Sequence, residues 1–150
     1  MADAQTFQTL QADMKTAMRA KDRERLGTLR MIISTLKNKR IELQKDLTED
    51  DILSVLSTET KKRREAADAY RKGGRDDLAQ IEEAELVVIA DYLPSQMSDE
   101  EVSTLIDGII AETGAQTKRD MGKVMGKMMP QIKGRFDGAR AKDIVMSKLG

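Results

Sequence analysis

Glycines and cations alternate near the C-terminus in a pattern that suits an anionic ligand. Gly122 and Gly126 are four residues apart, so on a helix they share one face and leave it without side chains. A ligand's backbone can approach closely at such a face. Four cations accompany the glycines: Lys123, Lys127, Lys133 and Arg135. We expect these cations to neutralise phosphates, and Gly134 to admit the ligand's backbone as the other two glycines do.

Other interpretations of this stretch remain open. Close helix–helix packing also uses glycines four residues apart. The methionine stripe 121–129 could form an adaptable binding surface, although methionine more commonly packs in a core. Pro130 lies within the predicted helix, removes one hydrogen bond and crowds the carbonyl of Gly126, so we expect a kink there.

The residue types needed for most catalytic and metal chemistry are missing. The chain has no His and no Cys, which excludes imidazole acid–base chemistry, thiolate metal sites and disulfides. Glu82, Glu83 and Glu85 are better explained as a solvated acidic helix than as metal ligands or an acid–base pair. We therefore predict no catalytic residue, no cofactor and no metal ion.

Charge is zoned along the chain although the formal net charge is zero. The net charge is +5 over residues 1–75, −11 over 76–117 and +6 over 118–150. Docking of acidic helices on basic ones would explain this, as would a true anion-binding surface. The basic run 61–64 occupies four consecutive helical positions that point in different directions, so we interpret it as solvated. The cations between Lys37 and Arg40 receive the same interpretation.

Composition predicts an all-α protein. Helix-forming residues dominate, and aromatic residues make up only 3% of the chain. The longest apolar run, 86–90, is too short to span a bilayer, and residues 1–5 lack the pattern of a signal peptide. With no cysteine present, these features lead us to expect a cytoplasmic protein that does not enter a membrane.

Apolar spacing predicts four longer helices followed by three shorter ones. The longer helices cover 4–20, about 22–44, a segment from Thr48 to Gly73, and a segment that ends before Pro94. A Ser or Thr followed three residues later by an acidic residue marks predicted helix starts at Thr48–Asp51, Ser98–Glu101 and Thr117–Asp120. We expect a helical N-terminal domain over 1–93 and a small three-helix bundle over 97–150.

Motifs spread along the chain carry a resemblance to a known family. The strongest is 120–126 together with 133–135 and 137–138. Further ones are Thr28–Met31, Lys37–Asn38, Gly74–Ala79, Glu82 with Glu85, and Tyr92–Pro94. Together they resemble the YqeY family over nearly the whole chain. The C-terminal bundle of that family is shared with the GatB subunit of glutamine-dependent tRNA amidotransferase.

The resemblance implies an all-α fold whose C-terminal tail grips tRNA. In the amidotransferase the chemistry takes place in other parts, and this chain resembles none of them. The residues carried over by the resemblance are Gly122, Lys123, Gly126, Lys133, Gly134 and Arg135. The resemblance does not include Lys127, whose charge and position alone make it a candidate.

Our hypothesis is a non-catalytic tRNA-binding protein. The first rival is an accessory factor in carbon–nitrogen ligation with glutamine as amido donor. The second is a helical protein–protein interaction module that uses its acidic segment 76–112 to meet a basic partner. An aminoacyl-tRNA synthetase or an amidotransferase component is a further candidate partner. The sequence leaves the oligomeric state and the role of the N-terminal domain open.

Overall fold

Apolar residues at helical spacing form seven α-helices in this computed structural model, which describes residues 4–150. No β-strand occurs within that range, and the all-α prediction is confirmed. The first three residues, on which part of the signal-peptide argument depends, lie outside it. The helices are α1 (Gln5–Arg19), α2 (Arg23–Leu43), α3 (Glu49–Lys72), α4 (Asp76–Ala90), α5 (Asp99–Thr113), α6 (Met121–Ile132) and α7 (Gly138–Lys148).

Helix starts follow the polar signals in the sequence. Thr48 accepts the N–H of Asp51, and the Asp51 carboxylate accepts the N–H of Thr48, which completes a capping box. Ser98 accepts the N–H of Glu101 in the same way. Helical structure also begins after Thr117, as a 3₁₀ turn, Lys118–Asp120, that leads directly into α6.

The chain divides into two compact units, one comprising residues up to Leu93 and the other Pro94–Gly150. In the N-terminal unit, α1 to α4 enclose a core whose largest fully buried side chains include Leu10, Leu29, Leu36 and Leu56. Arg63 of α3 bonds Glu59 of the same helix at 2.6 Å and Glu85 of α4 at 2.9 Å. Part of the basic run 61–64 is therefore an internal ion-pair network rather than a solvated face.

The C-terminal unit is a three-helix bundle of α5, α6 and α7. Its core combines Val102 and Ile106 of α5 with Val124 and Met128 of α6 and Val145 of α7. This core positions α6 and so determines which of its residues face solvent. The helix continues past Pro130 to Ile132, and the kink stays a prediction.

No helix within residues 4–150 combines the length and the apolar character needed to cross a membrane.

Candidate nucleic-acid interface

The glycines of α6 lie on the side of the helix opposite its core face. Val124, Met128 and Ile132 are completely buried, whereas Gly122 and Gly126 are exposed. With 3.6 residues per turn, Gly126 points about 160° away from Met128. The apolar residues of α6 thus anchor the helix and turn its glycine face outward.

Neither glycine is covered by any residue of the described range, 4–150. A Cβ atom placed at Gly122 or Gly126 would meet no heavy atom within 4 Å. Close helix packing among residues 4–150 therefore does not explain them. A glycine inside a helix costs about 0.5–1 kcal/mol relative to alanine, so the chain carries two destabilising residues at positions open to an external ligand.

Lys123 shares this open face and is exposed. It lies near Asp120, whose carboxylate accepts the N–H groups of Gln116 at 3.0 Å and Thr117 at 3.3 Å. These hydrogen bonds lower the pKa of Asp120, and the charge of Lys123 lowers it further. Asp120 therefore stays ionised and shapes the turn before α6 while partly offsetting the charge of Lys123.

The other cations differ in what they contact. Lys127 is exposed, but its Nζ lies 2.6 Å from Oε1 of Glu112 on α5. The Nε of Arg135 donates to the carbonyl of Ser95 at 2.9 Å, and this is the only hydrogen bond of that side chain within the described range. Lys133, at the C-terminal end of α6, is exposed.

Hydrogen bonds to main-chain carbonyls hold the basic turn 133–135 in place. Gly134 has a φ of +74°, a left-handed conformation that favours glycine. Its carbonyl accepts from Nε2 of Gln96 at 2.8 Å, and the Arg135 carbonyl accepts the N–H of Met97 at 2.9 Å. The sequence assigned Gly134 to ligand approach, and the structure adds a conformational need for glycine there.

The structure thus brings Gly122, Lys123 and Gly126 onto one exposed face, with Lys127 beside it. The turn 133–135 follows at the C-terminal end of the same helix. We use the name "α6 surface" for these seven residues together.

Two exposed cations escaped the sequence argument. Lys118 and Arg119 lie in the 3₁₀ turn just before α6. Arg119 precedes Gly122 by three positions and Lys123 by four, which is helical spacing. Extending the periodicity one turn towards the N-terminus would have included it.

The methionines of α6 belong mostly to the core. Met128 is fully buried, and Met121 and Met125 are half-buried against the same core. Met129 is 40% exposed, and its methyl group lies 3.2 Å from the position of a Cβ at Gly138. The methionine stripe is therefore chiefly a packing feature.

Acidic residues of α4 take part in ion pairs within the N-terminal unit. Glu83 receives two hydrogen bonds from Arg71, at 2.8 and 2.9 Å, while Glu85 bonds Arg63. Within residues 4–150 no three acidic side chains are grouped so that they could hold a metal ion. Docking against neighbouring cations thus explains part of the negative charge of α4.

The chain is similar to curated fungal proteins named "Altered inheritance of mitochondria protein 41, mitochondrial". It is 32% identical to that of Pyrenophora tritici-repentis over 129 residues, which is 84% of this chain and 70% of the relative. Identity to the Clavispora lusitaniae protein is 34%, covering 83% and 72% of the two chains. For Eremothecium gossypii it is 36%, covering 69% of this chain and 58% of the relative.

These relatives correct one expectation. The cytoplasmic location expected from the sequence is wrong, because the relatives are mitochondrial proteins by name. A chain without cysteine is compatible with any reducing compartment, so this feature does not identify one. The names state no biochemical activity.

The family assignment depends on a match over most of the chain. Residues 7–149 match the family described as "Yqey-like protein", so the match includes nearly all of both units and every residue of the α6 surface. This chain belongs to the YqeY family.

Proposed function

We propose that this protein binds tRNA through the α6 surface and catalyses no reaction itself. The observation that carries the proposal is the pair of uncovered glycines, Gly122 and Gly126, on the exposed face beside Lys123. The glycines allow a sugar–phosphate backbone to approach the helix backbone, and the cations supply the attraction.

A phosphate backbone fits this surface better than exposed bases do. Lys, Arg and open main chain are the groups that position phosphates. Stacking of single-stranded bases depends on aromatic side chains, and the chain has only two Phe and two Tyr. A folded RNA recognised by its shape and backbone, such as tRNA, therefore suits the surface.

Binding of this kind should weaken as salt is added. Each phosphate that a cation neutralises releases counterions, so the logarithm of the binding constant falls linearly with the logarithm of salt concentration. A surface with four or five contacts would show a slope of roughly −3 to −4.

Fluorescence anisotropy with labelled total tRNA at about 50 and 200 mM salt tests the proposal over the range in which such contacts weaken steeply. The informative variant is Lys123→Glu with Lys133→Glu, which leaves the Arg135–Ser95 bond intact. We expect at least a tenfold loss of affinity. The matched control, Lys61→Glu with Lys72→Glu, changes net charge equally at exposed positions of α3 and should lose much less.

Two results would reject the proposal. One is the absence of tRNA binding at the lower salt concentration. The other is an equal loss in both double variants, since that would mean that only the net charge matters. A competition experiment with oligouridine completes the test, because a shape-reading surface should release tRNA poorly to a flexible single strand.

A further inference from the structure

We propose that the N-terminal unit makes a second, separate contact to the RNA backbone along one face of α2. The contact consists of Arg23, Gly27, Arg30, Ser34 and Lys37, which we call the α2 stripe. This inference rests on the proposed tRNA binding and gives the N-terminal unit a role in it.

The three cations of the α2 stripe recur every seven residues. Seven residues are close to two helical turns, so successive cations lie about 10 Å apart along the axis and within about 40° of a common direction. All five stripe residues are exposed. Long cationic side chains spaced in this way can each reach a different phosphate of one RNA segment.

The three cations also lack partners. No hydrogen bond or ion pair engages the side chains of Arg23, Arg30 or Lys37 within the part of the chain that the structure covers. On the same helix, Arg25 pairs with Asp91 at 3.0 Å and Lys39 with Glu42 at 3.3 Å. The cations of α2 therefore fall into two groups. Arg25 and Lys39 form ion pairs within the unit, whereas the cations of the α2 stripe face solvent without a partner in the described range.

Gly27 gives the α2 stripe the same opening as the glycines of α6. A Cβ at Gly27 would meet no heavy atom within 4 Å, so no packing contact requires glycine there. An open glycine alone is not evidence, since Gly108 of α5 is equally open beside the acidic Asp107. What Gly27 shares with Gly122 and Gly126 is an open position beside exposed cations on the same helix.

A groove of about 690 Å³ between α2 and α4 borders the α2 stripe. Arg23 and Gly27 line it together with Asp22 and Glu24 at the start of α2 and with Asp77, Ile81 and Glu85 of α4. Asp77 already pairs with Arg75, and Glu85 with Arg63. No large apolar residue lies on the stripe between Arg23 and Lys37, which favours RNA over an amphipathic protein helix as its occupant.

The test uses the full chain with three substitutions, Arg23→Gln, Arg30→Gln and Lys37→Gln. We expect affinity for total tRNA to fall about tenfold or more, and the salt slope to become shallower by roughly 2–3, one phosphate contact per cation. The matched control is Lys15→Gln, Lys61→Gln and Lys72→Gln, which removes three exposed cations from α1 and α3. Circular dichroism checks that both variants fold.

A second variant tests the opening itself. Gly27→Leu should weaken tRNA binding without unfolding the unit, because a leucine there enters open space. Gly108→Leu is its control and should bind as the unsubstituted protein does.

Equal affinities for the α2-stripe triple variant and its control would overturn the inference, as would unchanged tRNA binding by Gly27→Leu. Failure here is distinguishable from failure of the proposed function. If only the Lys123/Lys133 variant loses binding, the α2 stripe is rejected and the α6 surface stands. If only the α2-stripe variant loses binding, the α6 surface is rejected and the α2 stripe stands.

Discussion

The hydroxyl of Tyr92 donates a 2.6 Å hydrogen bond to Oδ2 of Asp13, a residue 79 positions earlier in the chain. Arg25 joins the same group, because its Nη2 lies 3.3 Å from the Tyr92 hydroxyl and its Nη1 lies 3.0 Å from Asp91. Residues of α1 and α2 are thereby tied to the segment that follows α4. This network closes the N-terminal unit in the sense that it holds Asp91 and Tyr92, near the unit's last residue, against α1 and α2.

Removal of the Tyr92 hydroxyl should destabilise the N-terminal unit. Tyr92→Phe leaves a half-buried Asp13 carboxylate without its donor, and a hydrogen bond to a charged group contributes about 1.5–3 kcal/mol. Allowing for partial exposure, we expect the free energy of unfolding to fall by about 1–2 kcal/mol. Urea denaturation measures this, with Tyr70→Phe at an exposed position as control. A loss no larger than that of the control would contradict the proposed closure.

Acid should weaken the start of α3. Nζ of Lys45 lies 2.7 Å from the Asp51 carboxylate, and this bond, with the N–H of Thr48, lowers the pKa of Asp51 from 3.8 to about 2. Because the folded pKa is below the unfolded one, the stabilising contribution is complete above about pH 4 and is lost as pH falls towards 2.

Carbon-detected NMR of the Asp51 carboxyl checks this pH dependence. The Lys45→Gln variant should move the titration midpoint up towards the ordinary value, and Asp51→Asn should make unfolding less sensitive to acid over the same range. A midpoint near 4 in the unsubstituted protein would show that the pair does not form in solution.

Replacement of the α6 glycines by alanine should raise the stability of the protein and lower its affinity for tRNA. In Gly122→Ala with Gly126→Ala the new methyl groups enter open space, so we expect a gain of about 1–2 kcal/mol in the free energy of unfolding. The same methyl groups would hold an RNA backbone away from the helix, and tRNA affinity should fall. Thermal unfolding and anisotropy measure the two effects, and Gly108→Ala should stabilise without changing affinity. Unchanged tRNA binding by the double variant would mean that the backbone does not approach there.

Release of Lys127 from its partner should strengthen RNA binding. In the absence of ligand, Lys127 bonds Glu112, so a phosphate must compete with that carboxylate. Exposed ion pairs contribute about 0.2–1 kcal/mol, so Glu112→Gln should raise tRNA affinity by up to about fivefold. Glu100→Gln, an equal charge change at the start of α5, serves as control. An identical gain in both variants would indicate a general charge effect and not a local competition.

Local sequence patterns predicted the helices well, because a helix start depends on residues that lie close together in the chain. Thr48 and Asp51 are three residues apart and form the capping box that their spacing indicates. Before α6, the Asp120 carboxylate accepts the N–H of Thr117 as the Asp51 carboxylate accepts that of Thr48, and it also accepts the N–H of Gln116. The first turn there is 3₁₀ instead of α-helical, a difference that the Thr–x–x–Asp spacing does not predict.

The all-α fold, the zoned charge and the position of each cation and glycine along its helix follow from the order of the residues alone. Helical periodicity follows from 3.6 residues per turn, so these features need no knowledge of distant residues. The packing of helices leaves Gly122 and Gly126 uncovered, pairs Lys127 with Glu112, and places Arg63 within an ion-pair network. Each of these depends on residues brought together from different helices, and helical spacing carries no information about which helix packs on which.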